Sequence, residues 1–169
     1  MSGVTKHIFE HELDDILSMW NTEIKSVTPL LPRKYTKADI IALLKYYYPH
    51  EWQSVESKYK YYRTKDKYLK RRFGKSRYNM SEPELLIQRV SAFKKIFSES
   101  YKYAHWNAYS ERNRVDSSVK LWEARKYKID RINSKIEIAL SKTQQVTPSF
   151  INQLIGLYER PNTTQKDKV

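Results

Sequence analysis

The sequence predicts an all-α protein, and three observations lead to this fold class. Apolar residues recur every three or four positions along almost the whole chain, which is the spacing of one helix face. No segment shows the strict alternation of a half-buried strand. The 169 residues include only three glycines, so tight hairpin turns are scarce. We therefore expect a bundle of about five to six helices, with loops short enough to make neighbouring helices antiparallel.

The first helix is predicted from a single apolar stripe that ends before two prolines. Pro29 and Pro32 interrupt the chain after this stripe, because proline lacks the amide donor that a helix interior needs. The stripe consists of Phe9, Leu13, Ile16, Leu17, Trp20, Ile24 and Val27.

The next two helices are predicted from their terminal residues. Thr36 and Asp39 have the spacing of a capping box, which marks a helix start. Pro49 ends that short helix and suits the first turn of the following one. Gly74 is placed to end the second helix, because glycine readily adopts the left-handed conformation. The predicted helices cover 36–48 and 50–73, a helix-turn-helix-like pair over 36–73.

The second half of the chain is predicted to contain longer helices. Ser81 and Glu84 form a second capping-box pattern, which predicts a long helix over 82–111. Asp116 is predicted to cap a fifth helix through Leu140. Two further segments complete the prediction: a last helix from Thr147 and Pro148 to Tyr158, and a disordered polar tail over 161–169.

The domain prediction is a single helical domain over 1–160. A subdivision is an alternative, with an acidic helix and a basic helical pair over 1–80 and a helical hairpin with a terminal helix over 81–160. Heptad-like stripes in 52–73 and 86–104 also allow a homo-oligomer.

Charge is distributed unevenly along the chain. The formal net charge is +13. Residues 1–28 hold two lysines against five acids, whereas residues 29–80 hold fourteen basic residues against four acids. An excess of this size bears on the protein's partners and association rates, and phosphate polymers are the partners that it most commonly indicates.

Several function classes are excluded or disfavoured by composition. The chain has no cysteine, which excludes disulfides, zinc held by cysteine and thiol catalysis. No run of about 18 apolar residues is present, so no membrane partner is expected. The acidic start does not resemble a signal peptide, and we expect a cytoplasmic protein without a cofactor. The segment FGKS at Phe73–Ser76 resembles the end of a phosphate-binding loop, but Leu69 stands where that loop needs glycine.

The most informative segment runs from Lys58 to Tyr78. Ten of its 21 residues are Lys or Arg, and six are Tyr or Phe. On a helix over 50–73, Tyr61 and Tyr68 fall nearly opposite the apolar stripe that includes Trp52. Cations neutralise phosphates, and exposed rings stack on bases without regard to sequence. The pattern therefore favours nucleic-acid binding, with an acidic protein partner or a solvated helix face as alternatives.

Weaker signals lie elsewhere. A second basic stripe on the helix after Asp116, together with Arg112 and Arg114 before it, could extend the same surface. HIFEH at residues 7–11 matches a zinc-peptidase pattern through His7, Glu10 and His11. That face lies far from the apolar stripe of its helix, so we favour no metal site.

The predicted function is a non-enzymatic DNA- or RNA-binding protein, such as a phage or ribonucleoprotein accessory. The alternative is a protein-interaction module or phage-encoded inhibitor whose basic face binds an acidic or nucleic-acid-binding surface. A metal-dependent hydrolase is a third, disfavoured reading. The predicted binding residues are Lys58, Lys60, Tyr61, Arg63, Lys65, Lys67, Tyr68, Lys70, Arg71, Arg72, Lys75, Arg77, Tyr78, Arg112, Arg114, Lys128, Arg131 and Lys135, and no catalytic residue is predicted.

Overall fold

The computed structural model describes the backbone of residues 2–143 and the side chains of residues 5–142. Over this part of the chain the all-α prediction is confirmed, because seven α-helices and two short 3-10 helices are present and no strand is. The α-helices are α1 (Ser2–Val27), α2 (Lys37–Tyr47), α3 (Pro49–Phe73), α4 (Pro83–Leu86), α5 (Ser91–Ile96), α6 (Glu99–Ala108) and α7 (Glu111–Thr143). The 3-10 helices are Thr28–Leu30 and Ile87–Arg89. No helix in the described part is both long and apolar enough to cross a bilayer.

The helical pair predicted over 36–73 is observed as α2 and α3. Asp39 accepts a hydrogen bond from the Thr36 backbone N–H at 2.6 Å, which completes the predicted capping box. Pro49 is the first residue of α3, where its missing N–H removes no helical hydrogen bond. Gly74 ends α3 with a φ of 72°, and its N–H donates to the Lys70 carbonyl at 2.9 Å.

The predicted long helix over 82–111 is wrong. The chain there forms α4, a 3-10 turn, α5 and α6, separated at Val90 and Phe97–Ser98. Val90 is extended, with a ψ of 133°, and its side chain is buried in the core. The Ser98 side chain accepts a hydrogen bond from the Tyr101 N–H, so a new helix begins there. Core packing and a local cap thus interrupt a sequence whose spacing favoured one helix.

Two other predicted helix starts also differ from the structure. The residue before α4 is Glu82, not Ser81, and no side chain caps that end. The helix predicted to start at Asp116 instead begins at Glu111, after Ser110. The predicted helix over 147–158 and the tail over 161–169 lie outside the described residues.

The core of the first unit is built around α1. Trp20 has no exposed surface, and its ring centroid lies 5.4 Å from that of Trp52 in α3. The apolar stripe of α1 packs on the buried apolar residues of α2, α3 and the segment from α4 to α5. The largest fully buried side chains are Trp20, Ile24, Val27, Leu31, Ile40, Leu44, Val55, Leu86 and Ile87.

The chain divides into two compact units, one up to Lys126 and one from Tyr127 onwards. Helix α7 runs through this division. In the second unit, the described part of α7 carries exposed apolar residues, namely Ile136, Ile138 and Leu140. The prediction of one domain over 1–160 remains a prediction.

Within the first unit, a buried arginine joins α7 to the junction of α2 and α3. The Nε of Arg125 donates to the Tyr47 carbonyl at 2.9 Å, and its Nη2 donates to Glu51 Oε1 at 2.6 Å. The guanidinium carbon also lies 4.2 Å from the centroid of the Tyr48 ring. A charge this well buried is stable only with such partners.

We expect Arg125→Ala to lower the free energy of unfolding by about 3 kcal/mol, because it removes both hydrogen bonds and the cation that Glu51 contacts. Urea denaturation followed by circular dichroism measures this loss. The neighbouring exposed residue supplies a control, Lys126→Ala, which should change stability by less than about 0.5 kcal/mol. Equal losses in the two variants would contradict the assigned role of Arg125.

Candidate functional site

The predicted basic segment Lys58–Tyr78 comprises the second half of α3 and part of the loop that follows it. Tyr61 and Tyr68 are 54% and 55% exposed, so both rings lie away from the core, as their helical angle indicates. Their rings contact neighbouring cations: Lys65 Nζ lies 5.1 Å from the Tyr61 centroid, and Arg72 donates to the Tyr68 hydroxyl at 2.6 Å. The exposed cations of the segment are Lys60, Arg63, Lys65, Lys67, Lys70, Arg71, Arg72, Lys75 and Arg77.

Two predicted binding residues in this segment form internal contacts instead of facing solvent freely. Lys58 is half-buried and pairs with Glu12 of α1 at 2.8 Å. The Tyr78 ring packs 5.3 Å from Phe9 and 4.8 Å from Tyr62, centroid to centroid. Both residues therefore help to join α3 and its loop to α1.

The other predicted residues are dispersed. Arg112 is exposed, and Arg114 pairs with Glu111 within α7. Lys128, Arg131 and Lys135 are exposed residues of the second unit.

The zinc-like pattern in α1 is engaged in helix-surface ion pairs. Glu10 lies 3.7 Å from Lys6, and His11 Nδ1 lies 3.1 Å from Asp15. Among the described residues, no group of three or more His, Asp or Glu is arranged to hold a metal ion.

One carboxylate fixes the loop after α3. Asp66 accepts hydrogen bonds from the backbone N–H groups of Arg77, Tyr78 and Asn79 at 2.8, 3.0 and 2.7 Å. Asn79 has a φ of 47°, the left-handed conformation that asparagine tolerates better than most residues. Three charge-assisted hydrogen bonds to one side chain hold this loop against the helix.

The same hydrogen bonds control the ionisation of Asp66. Burial alone would raise the pKa of this carboxyl, but the N–H donors of Tyr78, Arg77 and Asn79 together hold its pKa below the ordinary value. Hydrogen bonds to the charged form of a carboxylate have this effect. Asp66 is therefore ionised at neutral pH, and its charged carboxylate accepts the hydrogen bonds of the loop.

A second carboxylate fixes α1 beside α3. Glu12 accepts hydrogen bonds from Lys58 and from the Tyr62 hydroxyl. Burial would raise the pKa of Glu12, but these two donors and the charge of Lys58 lower it. Burial and the bond to Glu12 raise the pKa of the Tyr62 hydroxyl, so this tyrosine remains a neutral donor. The contact brings the first turns of α1 next to the loop after α3.

These contacts form a basic pocket of about 430 Å³ between the start of α1 and the end of α3. Arg77 crosses toward α1, and its Nη1 donates to Thr5 Oγ1 at 3.1 Å. The residues that line this pocket, which we call the loop pocket, are Lys6, Leu69, Phe73, Lys75, Ser76 and Arg77.

The loop pocket combines three cations with a hydroxyl and two apolar side chains. No carboxylate is among the described residues that line it. Lys75 forms no ion pair with any residue that the structure describes. Phe73 is 62% exposed, an unusual position for a large apolar ring. A pocket of this size and composition suits an anionic molecule that also has a flat apolar part.

A smaller cavity of about 280 Å³ lies at the same loop and shares Ser76 with the loop pocket. It is also lined by Asp66, whose carboxylate lowers the positive charge there. The loop pocket is therefore the better candidate for an anion.

Lys75 and Arg77 are among the binding residues predicted from the sequence, whereas Lys6, Leu69, Phe73 and Ser76 are not. The FGKS segment was a usable signal, because Phe73, Lys75 and Ser76 all line the loop pocket. Lys6 is separated from them by more than 60 residues, and no local pattern indicates that it lies beside them.

Comparison with known proteins gives one informative match. No family model matches the chain, and no solved structure matches it. The chain is 25% identical, over all 169 residues, to the protein named "Putative cyclic ADP-D-ribose synthase TIR2" from Cytobacillus dafuensis. The chain spans 45% of the length of that protein.

This match overturns the function predicted from the sequence. The prediction of a non-enzymatic nucleic-acid-binding protein is wrong, as is its alternative of an interaction module, because the relative aligned along the whole chain is named as an enzyme. The relative's named product is a small nucleotide, so cations and exposed rings do not by themselves indicate a nucleic acid.

We expect Asp66→Asn to loosen the loop after α3, because it removes the negative charge that three backbone N–H groups share. Amide hydrogen exchange of Arg77, Tyr78 and Asn79 should show an opening free energy lower by about 2 kcal/mol. Glu99→Gln, in an exposed ion pair of α6, is the matched control and should leave these three amides unchanged. Unchanged exchange in Asp66→Asn would contradict the assigned role of Asp66.

The lowered pKa of Asp66 also predicts how the loop responds to acid. A carboxyl whose pKa is lower in the folded protein stabilises it above the unfolded pKa, about 3.9, and this stabilisation is lost as pH falls through the folded pKa. Protection of the three loop amides should therefore persist at mildly acidic pH and decline only below about pH 4. Exchange rates corrected for the intrinsic effect of pH measure this decline. A midpoint near neutral pH would rule out Asp66 as the controlling group.

Proposed function

We propose that the protein is an enzyme that forms a cyclic nucleotide of the ADP-ribose type, and that the helices up to Lys126 are a helical part of this enzyme. The observation that carries the proposal is the match to a named cyclic ADP-D-ribose synthase along all 169 residues of the chain. The chain spans less than half of that relative, so the activity is proposed for the whole protein in which these helices function.

The named product defines the chemistry that such an enzyme needs. Cyclic ADP-ribose contains adenine, two riboses and a pyrophosphate, with the terminal ribose joined back to adenine. Forming that last bond requires an ADP-ribosyl donor whose leaving group departs from C1 of the terminal ribose with its bonding electrons. An adenine nitrogen then bonds to C1, and one proton is released. NAD is a donor of this kind, with nicotinamide as the leaving group.

The charge of the described helices suits such a substrate. Residues 29–80 hold fourteen basic residues against four acids, which attracts a dianionic pyrophosphate and raises its rate of association. Two of the three cations of the loop pocket, Lys75 and Arg77, belong to this region, and none of the described residues that line the pocket is a carboxylate. Fixed cations near a pyrophosphate can orient the donor for ring closure.

Turnover of NAD by the natural gene product tests the proposal. We expect purified protein to release nicotinamide and to form a product with the mass of ADP-ribose less one water, the mass of the cyclised nucleotide. Liquid chromatography with mass spectrometry separates this product from linear ADP-ribose.

A mock purification from cells that lack the gene is the control for contaminating hydrolases. Unchanged NAD, or linear ADP-ribose as the only product, would overturn the proposed function.

A further inference from the structure

The loop pocket is positioned before any ligand arrives. Asp66 fixes the backbone of Arg77, and the side chain of Arg77 is held by Thr5 at 3.1 Å. The Tyr78 ring packs against both Phe9 and Tyr62, which also contact each other. Arg77 is therefore held at its backbone and its side chain, and Lys75 and Ser76 directly precede this fixed part of the loop. Binding to such a loop costs less conformational entropy than binding to a mobile one.

Among the described residues, two of the three cations of the loop pocket have no acidic partner. Of its three cations, Lys6 has Glu10 at 3.7 Å, while Lys75 and Arg77 form no ion pair within the described residues. Arg77 uses Nη1 for Thr5, and its planar guanidinium has further N–H donors suited to phosphate oxygens. Ser76 adds a hydroxyl donor. The set has the charge and the donors that a pyrophosphate requires.

The apolar side of the pocket indicates a ligand that has an apolar part in addition to its phosphate groups. Leu69 and Phe73 lie one helical turn apart on α3 and line the same cavity as the cations. Arg72 lies 5.3 Å from the Phe73 centroid, and the ring is still 62% exposed. A planar heterocycle attached to the pyrophosphate would cover this surface by stacking.

We propose that the loop pocket binds an ADP-ribosyl nucleotide, with the pyrophosphate held by Lys6, Lys75 and Arg77 and a heterocycle packed on Leu69 and Phe73. This inference rests on the proposed function for the identity of the nucleotide. NAD, linear ADP-ribose and cyclic ADP-ribose share this chemistry, so the site could hold donor or product.

Calorimetric titration of the purified protein with four probes tests the assignment: NAD, linear ADP-ribose, cyclic ADP-ribose and inorganic pyrophosphate. Lys75→Glu should weaken all four at least about tenfold, because it replaces an unpaired cation by an anion beside the pyrophosphate. Lys94→Glu makes the same charge change at an exposed position of α5 and should alter affinity by less than about twofold, because Lys94 does not line the loop pocket and salt screens exposed charges. Equal weakening in both variants would show that only net charge matters and would overturn the proposal.

A second variant separates nucleotide binding from anion binding. Phe73→Ala should weaken the three nucleotides by about tenfold and leave pyrophosphate unchanged, because only the nucleotides have a heterocycle to stack. Unchanged nucleotide affinity in Phe73→Ala would overturn the assignment of the apolar side. Lys75 and Phe73 are both exposed, so Lys75→Glu and Phe73→Ala should both melt at the wild-type temperature. The ratio of affinities for NAD and cyclic ADP-ribose tells whether the site prefers donor or product.

The failure of this inference is distinct from the failure of the proposed function. If the natural gene product cyclises NAD but Lys75→Glu binds and reacts like wild type, the loop pocket is not the site and the proposed function stands. If the wild-type protein binds ADP-ribose through Lys75 and Phe73 but never turns over a donor, the pocket assignment stands and the proposed function is wrong.

Discussion

The apolar stripe of α1 is the constraint on which the rest of the first unit depends. Trp20 and Ile24 have no exposed surface, so the middle of α1 forms the centre of the core. The same stripe continues to Phe9, whose ring contacts Tyr62 and Tyr78 and so extends the packing toward the loop after α3. Because a helix is rigid over this length, seating Trp20 in the core also places Thr5 and Lys6 beside Arg77. The fold and the loop pocket are therefore consequences of one packed helix face.

The elements that could be predicted from the sequence are those whose ends carry their own local signal. Thr36 with Asp39, Pro49 and Gly74 each act through their own backbone geometry, so α2 and the limits of α3 follow from the residues alone. The breaks at Val90 and Ser98 have a different origin. Val90 leaves the helix because its side chain fills the core, a cause that lies in distant residues and not in the local sequence. Helical spacing continues through both breaks, which is why periodicity predicted one helix there.

The candidate site shows the same division between local and distant causes. The exposure of Tyr61 and Tyr68 follows from helical angle, since α3 is regular. The inward position of Tyr78 depends on Asp66 bending the loop back, and that of Lys58 depends on Glu12 of another helix. Cations interleaved with rings favour phosphate-bearing ligands, but a polymer and a small nucleotide present the same groups to such a surface. The sequence pattern therefore does not distinguish a nucleic acid from a small nucleotide.

A nucleic acid and a small nucleotide differ in shape. The shape of the surface that could bind either one depends on contacts between residues that are distant in the sequence. A polymer is best served by a long, even face of cations, whereas the loop pocket gathers three of them around one cavity. Gathering like charges is unfavourable, since each raises the energy of the others. None of the described residues that line the cavity is a carboxylate that would relieve this repulsion. Asp66, which lines the neighbouring cavity, is held on backbone N–H groups, where it orders the loop. If the loop pocket binds a pyrophosphate as proposed, the bound anion would relieve the repulsion between Lys75 and Arg77, whereas Lys6 already has Glu10 at 3.7 Å.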